Sequence, residues 1–351
     1  MISGHESPSR RRSAGPPLDS ERPMYSERTA GSLLDLSIVV VSWNTSDLLD
    51  ACLASLPASC AGLRHEVFVV DNASSDGSTA MIRERHPAVH LIESGGNLGF
   101  TRANNLALPR CRGEFVLLLN PDTVCPAGSL AALVDFARTH TDLGACGPTL
   151  VDAAGAPTIT YGNEPSPFYH LLELLGPHDR RLPRFLRHYS FVRIPKADAL
   201  PSRIDYVAGA CLLAPRRVLE EIGLLDERFF MYFEETDWCR RARDAGYEVW
   251  HAAGIEIVHL EGRAAAKASR FSLDQFHTSF RLYVEKHNGP GRVLAFRAVL
   301  LLENLAKAFY RSLIALFGNR RDNVSLADNH WYVARLQLRS SIRAIPPTAP
   351  L

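Results

Sequence analysis

"LSIVVVSWNTSD", Leu36–Asp47, stays apolar for the length of one strand and then turns polar where a helix-like segment begins. Val, Ile and Leu in unbroken succession, without polar alternation, mark a strand covered on both faces. The same figure recurs in "HEVFVVD" (His65–Asp71), "AVHLIES" (Ala88–Ser94) and "GEFVLLLN" (Gly113–Asn120), with helix-like segments starting near Asp47, Ser78, Gly99 and Ser129. Repeated βα units of this kind predict an α/β fold with a mostly parallel central sheet flanked by helices. Ligands of such sheets sit beyond the carboxyl ends of the strands, where loop amides and helix N-termini converge. Ser42 and Asn44 follow the first run, Asp71 and Asn72 the second, Asn120 and Asp122 the fourth. One polar turn after a strand is ordinary; three at the same edge of a sheet show where to look for chemistry.

Composition narrows the function classes. The 351 residues are 46% hydrophobic and 22% charged, enough to bury a full core, and the formal net charge of +1 gives no field that would gather nucleic acid. The 7 cysteines form no C-x-x-C pair and are an odd set, which suits isolated core thiols in a reducing, cytoplasmic compartment. Residues 1–35 contain Arg10–Arg12 but no apolar stretch of a secretory signal, and read as a disordered tail. A short basic run there is either a solvated charge cluster or a contact for anionic lipid.

Farther along, residues 157–203 are rich in proline, basic and aromatic side chains with little periodicity, as an insertion, a lid or a plain surface excursion would be. "IDYVAGACLLAP" (Ile204–Pro215) reads as a buried strand. In "FFMYFEETDWCRRARDAGYEVW" (Phe229–Trp250), Glu234 or Glu235 opens a helix, arginines fill its later turns and Gly246 stops it. The expected division is a domain over 36–265, with halves 36–150 and 151–265, followed by a helical region over 266–351. Within the latter, 291–318 carries Arg297, Glu303, Lys307 and Arg311, so it lacks the ~20 uninterrupted apolar residues of a membrane span. Its charges recur on one side, as in a helix packed on protein or lying on a bilayer.

Several ligand signatures fail. The turn after the first strand is "SWNTSD", not G-x-G-x-x-G, and "GGNLG" (Gly95–Gly99) comes too late, which argues against NAD. No Walker sequence exists. "DNASSDGS" imitates a calcium loop from Asn72 onward, but Arg83 stands where a bidentate Glu is needed; Asp76 and Ser78 fit a helix cap instead. What remains is Asp122 in "LNPDT", held outward by a proline-stiffened turn. Mg²⁺ or Mn²⁺ needs only one or two protein carboxylates when a substrate diphosphate supplies further oxygens.

Taken in order, "SIVVVSWN", "EVFVVDNASSDGS", "GGNLGFTRANN", "LLLNPDT", "DERFFMYFEETDWCRRARDAGY" and "IVHLEG" resemble the inverting family 2 glycosyltransferases of GT-A fold, especially the rhamnosyltransferase-like branch. The resemblance spans Leu36 to Gly262. It implies that Asp71 contacts a pyrimidine base, that Ser42 and Asn44 cradle the nucleoside, and that Asn97, Gly99 and Arg102 line the nucleotide-sugar pocket. Asn120 and Asp122 fall on the outer positions of the D-x-D metal motif, which makes Asp122 the metal ligand and leaves the neutral Asn120 a sugar contact. "EETD" falls on the acidic motif that supplies the catalytic base, here Glu235, with Glu234 and Asp237 beside it. An acidic helix start, with Asp237 pairing Arg241, is the structural alternative. His259 matches a histidine that contacts metal or diphosphate, and Asp226 an acid near the acceptor; a structural histidine and a turn cap are the alternatives.

The resemblance therefore implies a hexosyltransferase of cell-envelope polysaccharide biosynthesis. Its donor would be a nucleoside-diphosphate sugar such as dTDP-L-rhamnose, its acceptor a glycolipid or polysaccharide, with 291–318 touching the inner membrane face. The rivals are a nucleotidyltransferase, which "SWNTSD" does not equip to hold a triphosphate, and a catalytically silent sugar-nucleotide-binding module.

Overall fold

A computed structural model describes residues 34–165, 192–196, 198–260, 270–317 and 320–338. Of the tail expected over 1–35, residues 1–33 lie outside the described residues and Leu34 and Asp35 belong to the first strand; the middle of the excursion at 166–191, and Glu261 and Gly262 of the last motif, also lie outside the described residues.

Strand β1 (Leu34–Ser42) is buried from Leu36 onward and occupies the middle of the first half. It pairs in parallel with β2 (His65–Asp71) on one side and β4 (Gly113–Leu119) on the other, so that Val40 faces both Val69 and Leu119. β3 (His90–Glu93) adds to β2 at the edge. Helices α1 (Ser46–Ser59), α2 (Ser78–Arg85) and α3 (Gly99–Ala107) make the crossovers, starting where the sequence pattern changes period. Coverage of both faces shows in the side chains. Ile38, Val40, Leu117 and Leu119 join a core with α1 and α4 (Ser129–Arg138), while Val39, Val41, Val116 and Leu118 join a second core with α3. This alternation of partners explains why β1 shows no polar alternation.

After β4 the chain turns through Asn120–Asp122 into the short β5 (Thr123–Val124), then through α4 into β6 (Leu143–Val151), buried throughout. The excursion contributes β7 (Tyr161–Gly162) and β8 (Val192–Arg193), followed by β9 (Ser202–Arg203). The stretch read as one strand is two: β10 (Tyr206–Val207) pairs with β7, and β11 (Cys211–Pro215) enters the main sheet. Between them the Cys211 amide turns back to the Ala208 carbonyl at 3.4 Å. β11 lies antiparallel between β4 and β6. The final strand β12 (Glu248–His259) runs parallel to β6 and antiparallel to β5, with an irregularity around Gly254, where φ is +87°. The order is β3-β2-β1-β4-β11-β6-β12-β5, a mixed sheet whose first half is wholly parallel.

Helices α5 (Arg216–Ile222) and α6 (Glu234–Asp244) complete the second core, in which Trp238 is buried and donates to the Gly223 carbonyl at 3.0 Å. α7 (Arg270–Asn288) packs Phe280, Tyr283 and Val284 against Phe229 and Phe233, and Val293, Phe296 and Leu300 of α8 (Pro290–Phe317) join them. α9 (Arg320–Leu338) folds back antiparallel on α8: Arg297 donates to the Gln337 carbonyl and His330 meets Asn304 at 2.9 Å. α8 nevertheless exposes Leu294, Leu302, Phe309, Leu313 and Leu316. Among the described residues, no helix is long and apolar enough to cross a membrane. All seven cysteines are buried and free.

Candidate active site

The loops after β1 and β2 are stitched to each other. Asn44, in left-handed backbone (φ 53°), accepts the Ser75 amide at 2.7 Å while its own amide donates to Ser74 Oγ at 3.0 Å. Asp76 accepts the Ser46 amide at 2.8 Å and the Ser78 amide at 3.1 Å, so it caps α2 and also ties it to the start of α1. Ser42 is buried, with Oγ 2.8 Å from Thr45 Oγ1. The side chains of Ser42 and Asn44 thus shape the floor of the edge and make their bonds within the protein. Asp71 is different. Its Oδ2 accepts the Ser74 amide at 3.1 Å, but its Oδ1 is buried without a hydrogen-bond partner. A buried, unsatisfied carboxylate oxygen costs free energy, which a ligand donor arriving at the strand end would recover.

Asn72, the neighbour of Asp71, organises the "GGNLG" loop. Its Oδ1 accepts the Leu98 amide at 2.8 Å, and its Nδ2 donates to Asn97 Oδ1 at 3.0 Å and to the Gly99 carbonyl at 3.2 Å. Asn97 Oδ1 also accepts the Gly99 amide at 3.0 Å. Gly99 also lets two segments of the protein's own backbone approach closely. With φ at +78°, a Cβ there would stand 2.4 Å from the Phe230 carbonyl oxygen, and that oxygen accepts the Phe100 amide at 2.8 Å. Gly99 therefore seats α3 on the segment leading to "EETD". Arg102 is exposed and lies 3.6 Å from Glu227 on that same segment.

At the end of β4, the Asn120 amide donates to the Ala210 carbonyl at 2.9 Å, and the Asn120 carbonyl accepts Thr123 Oγ1 at 2.8 Å. This closes a tight turn with Asp122 at its tip. The β5–β12 pairing brings His259 alongside, with Nε2 3.2 Å from Asp122 Oδ1. The side chain of Asn120 makes no hydrogen bond to the described residues. Among those residues no group of three or more His, Cys, Asp or Glu could hold a metal unaided. One carboxylate and one imidazole fit a Mg²⁺ or Mn²⁺ ion that takes its other oxygens from a substrate and water.

Across the turn at Gly209 stands the acid pair. The side chain of Glu235 packs over Gly209, 3.7 Å from where a Cβ would be, and the next residue, Ala210, is the one that holds Asn120. Glu235 and the strand end that leads to Asp122 thus both contact the short Gly209–Ala210 turn. Burial pushes the Glu235 carboxyl up to about 7. Burial, and then the charge of Glu235, also push the buried Glu234 well above the ordinary glutamate range. The two carboxyls are within hydrogen-bonding reach of each other, so they can hold one proton between them.

Two acids from the sequence set have other work. Asp237 is wholly buried, with Arg241 Nε at 3.0 Å, Lys286 Nζ at 2.7 Å and His287 Nε2 at 2.7 Å. Burial opposes its charge, yet the bonds from His287 and Lys286 hold its carboxyl low. Asp226 is gripped by Arg228 and, at 2.8 Å, by Lys286, which hold its carboxyl far below the usual range. Lys286 and His287 escaped the sequence reading because "EKHNG" looks like any basic helix end before a glycine. Asn72 was quoted as a polar strand end without being given its organising role.

The sequence model of glycosyl transferase family 2 matches residues 37–223, more than half of the 351 residues. The chain belongs to this family. Among curated proteins, it is 28% identical over 308 residues to the N-acetylglucosaminyl-diphospho-decaprenol L-rhamnosyltransferase of Mycobacterium tuberculosis, covering 81% of this chain and 98% of that one. It is 26% identical to a low-salt glycan biosynthesis hexosyltransferase of Haloferax volcanii, covering 89% and 88%. Among solved structures, a mannosyltransferase from Pyrobaculum calidifontis in complex with GDP-Man and Mn²⁺ superposes with a TM-score of 0.50 at 19% identity, covering 91% of each chain.

The protein is accordingly a family 2 glycosyltransferase of rhamnosyltransferase-like type with the GT-A fold. Within this family 2 chain, Asp71, Asn120 and Asp122 lie inside the matched segment, whereas Glu234, Glu235 and His259 lie beyond it. The fold itself carries those last three to the same edge, through β12 and the start of α6.

Proposed function

We propose that this glycosyltransferase moves L-rhamnose from dTDP-L-rhamnose to a hydroxyl of a lipid-diphosphate-linked or polysaccharide acceptor of the cell envelope, with inversion. The carrying observation is the meeting of Glu235 and the Asp122 turn at Gly209–Ala210. Glu235, its carboxyl raised to about 7, takes the proton of the acceptor hydroxyl as that oxygen attacks the anomeric carbon. The bond from that carbon to the diphosphate breaks on the opposite face, and the diphosphate departs with the electron pair. Glu234 shares the proton taken up. Asp122 and His259 would hold Mg²⁺ or Mn²⁺, which when bound supplies positive charge at the leaving diphosphate. The unpartnered Asp71 oxygen is a natural acceptor for the imide N–H of thymine. The rhamnosyl donor and the lipid-linked acceptor follow the names of the relatives.

Transfer assays with a panel of nucleotide sugars test this reading. Glu235→Gln should lower kcat by about 10²–10⁴-fold with donor affinity kept. Asp122→Ala should lose the response to added Mg²⁺ or Mn²⁺. Turnover surviving Glu235→Gln within a few-fold would refute the base assignment. The exposed apolar residues of α8 further support a peripheral site of action on the inner face of the plasma membrane, where such an acceptor presents its head group.

A further inference from the structure

The acid pair is launched from a strained turn. Tyr232 and Phe233 both have left-handed backbone, φ 71° and 68°, and α6 begins at the next residue. Bulky residues avoid this region, so consecutive examples persist only where the surroundings over-determine them. Here α7 supplies those surroundings. The Phe276 ring lies 5.8 Å from Tyr232 and 5.3 Å from Phe233, Phe280 lies 5.4 Å from Phe233, and Ser279 Oγ donates to the Met231 carbonyl at 2.8 Å.

At its far end α7 makes a second, electrostatic hold. Lys286 Nζ stands 2.8 Å from Asp226 Oδ2 and 2.7 Å from Asp237 Oδ1. These two acids bracket the segment that contains Phe230, the strained turn, Glu234 and Glu235. The Lys286 ammonium therefore joins the two ends of the loop that carries the acid pair. Among the described residues Lys286 is the side chain that contacts both acids: Arg228 reaches only Asp226 and His287 only Asp237, while Arg241 adds a second hold, from Asp237 to the Ile222 and Leu224 carbonyls just before the loop. Without Lys286, two carboxylates drawn to the same point would repel each other.

We infer that Lys286 is a positioning residue for the transfer: by clamping Asp226 to Asp237 it fixes the direction in which Glu234 and Glu235 face the acceptor hydroxyl. The inference rests on the proposed role of Glu235 as base. Displacement of a reacting group by about 1 Å can cost on the order of 10²-fold in rate.

The test compares the full-length protein with Lys286→Met, which keeps the aliphatic stem, and Lys286→Arg, which keeps the charge. Lys286→Met should lower kcat by about 10–100-fold with donor KM unchanged, and Lys286→Arg should restore most of it. A ligand-free ¹³C titration of glutamate carboxyls should show the raised pair moving toward ordinary values in Lys286→Met. A kcat within twofold of wild type, an equal loss in Lys286→Arg, or raised carboxyls that do not move would overturn the proposal. If Lys286→Met does not fold, Asp226→Asn opens the same bridge while leaving Lys286 on Asp237, and the carboxyl titration decides. Because that titration needs no substrate, it separates failure of the clamp from failure of Glu235 as base, which the Glu235→Gln kinetics report.

Discussion

Replacing Gly99 with alanine puts one methyl group where the chain has no room. The φ of +78° places an L-residue in the left-handed region, at a cost of about 1–2 kcal/mol. The new Cβ would stand 2.4 Å from the Phe230 carbonyl oxygen and 2.6 Å from Phe230 Cδ2. A backbone oxygen cannot swing aside as a flexible side-chain end can, so the segments must separate, which costs about 1–3 kcal/mol. Separation also breaks the Phe100–Phe230 hydrogen bond, worth about 1 kcal/mol. The expected loss is about 3–6 kcal/mol against a total stability of about 5–15 kcal/mol. Urea unfolding followed by tryptophan fluorescence measures it. Gly96→Ala is the internal control, since its φ is outside the positive range and nothing lies within 4 Å of its Cβ; it should shift stability by less than about 1 kcal/mol. A Gly99→Ala protein as stable as wild type, or a Gly96→Ala protein equally damaged, would refute the account of α3 seated on the Phe230 backbone.

Two further outcomes are expected. The unfolded chain releases the protons of Glu234 and Glu235 near the ordinary glutamate value of 4.5, whereas in the native protein Glu235 keeps its proton until about 7 and Glu234 is raised as well. The unfolded state binds fewer protons in that window, so stability falls as pH rises from 4.5 to 7. Melting scans of Glu234→Gln/Glu235→Gln should show this loss removed, and an unchanged pH slope would contradict the raised carboxyls. Asp226 and Asp237 act in the opposite sense: held low by their cations, they contribute stability above their unfolded value of 3.8 that disappears as pH falls below it. The apolar side of α8 should sediment the protein with anionic vesicles. Leu302→Ser, Phe309→Ser and Leu316→Ser, at 58%, 67% and 75% exposure, should weaken that binding without lowering the melting point. Full recovery of wild-type protein in the supernatant would exclude this surface as the contact.

The parallel half of the sheet was legible because its strands are covered on both faces, and that condition writes itself as unbroken Val, Ile and Leu at β1, β2 and β4. Helix starts were legible where composition changed abruptly, as at Ser78, Gly99 and Ser129. The antiparallel insertion of β11 was not, because strand direction in a two-sided sheet leaves no mark on hydrophobicity. The break at Gly209 was hidden for a related reason: "YVAGAC" is apolar throughout, and its division between two sheets shows only in the pairing of β10 with β7 and of β11 with β4. In the site, Asp71, Asp122 and the "EETD" acids stood out by type and placement. The division of labour inside that cluster did not. Glu234, Glu235 and Asp237 are alike in sequence, and what separates them is three basic side chains, two of them from a helix about fifty residues away.

The location of β11 also bears on how such enzymes can diversify. Because it is wedged between β4 and β6, a chain cut before β11 would bare the edge of β4 from Phe115 to Leu119, an apolar ladder open to any passing strand. Recombination that swaps one half for another's would thus pass through aggregating intermediates. New acceptor preferences in this architecture should arise by rewriting loops, one connection at a time, around a sheet inherited whole.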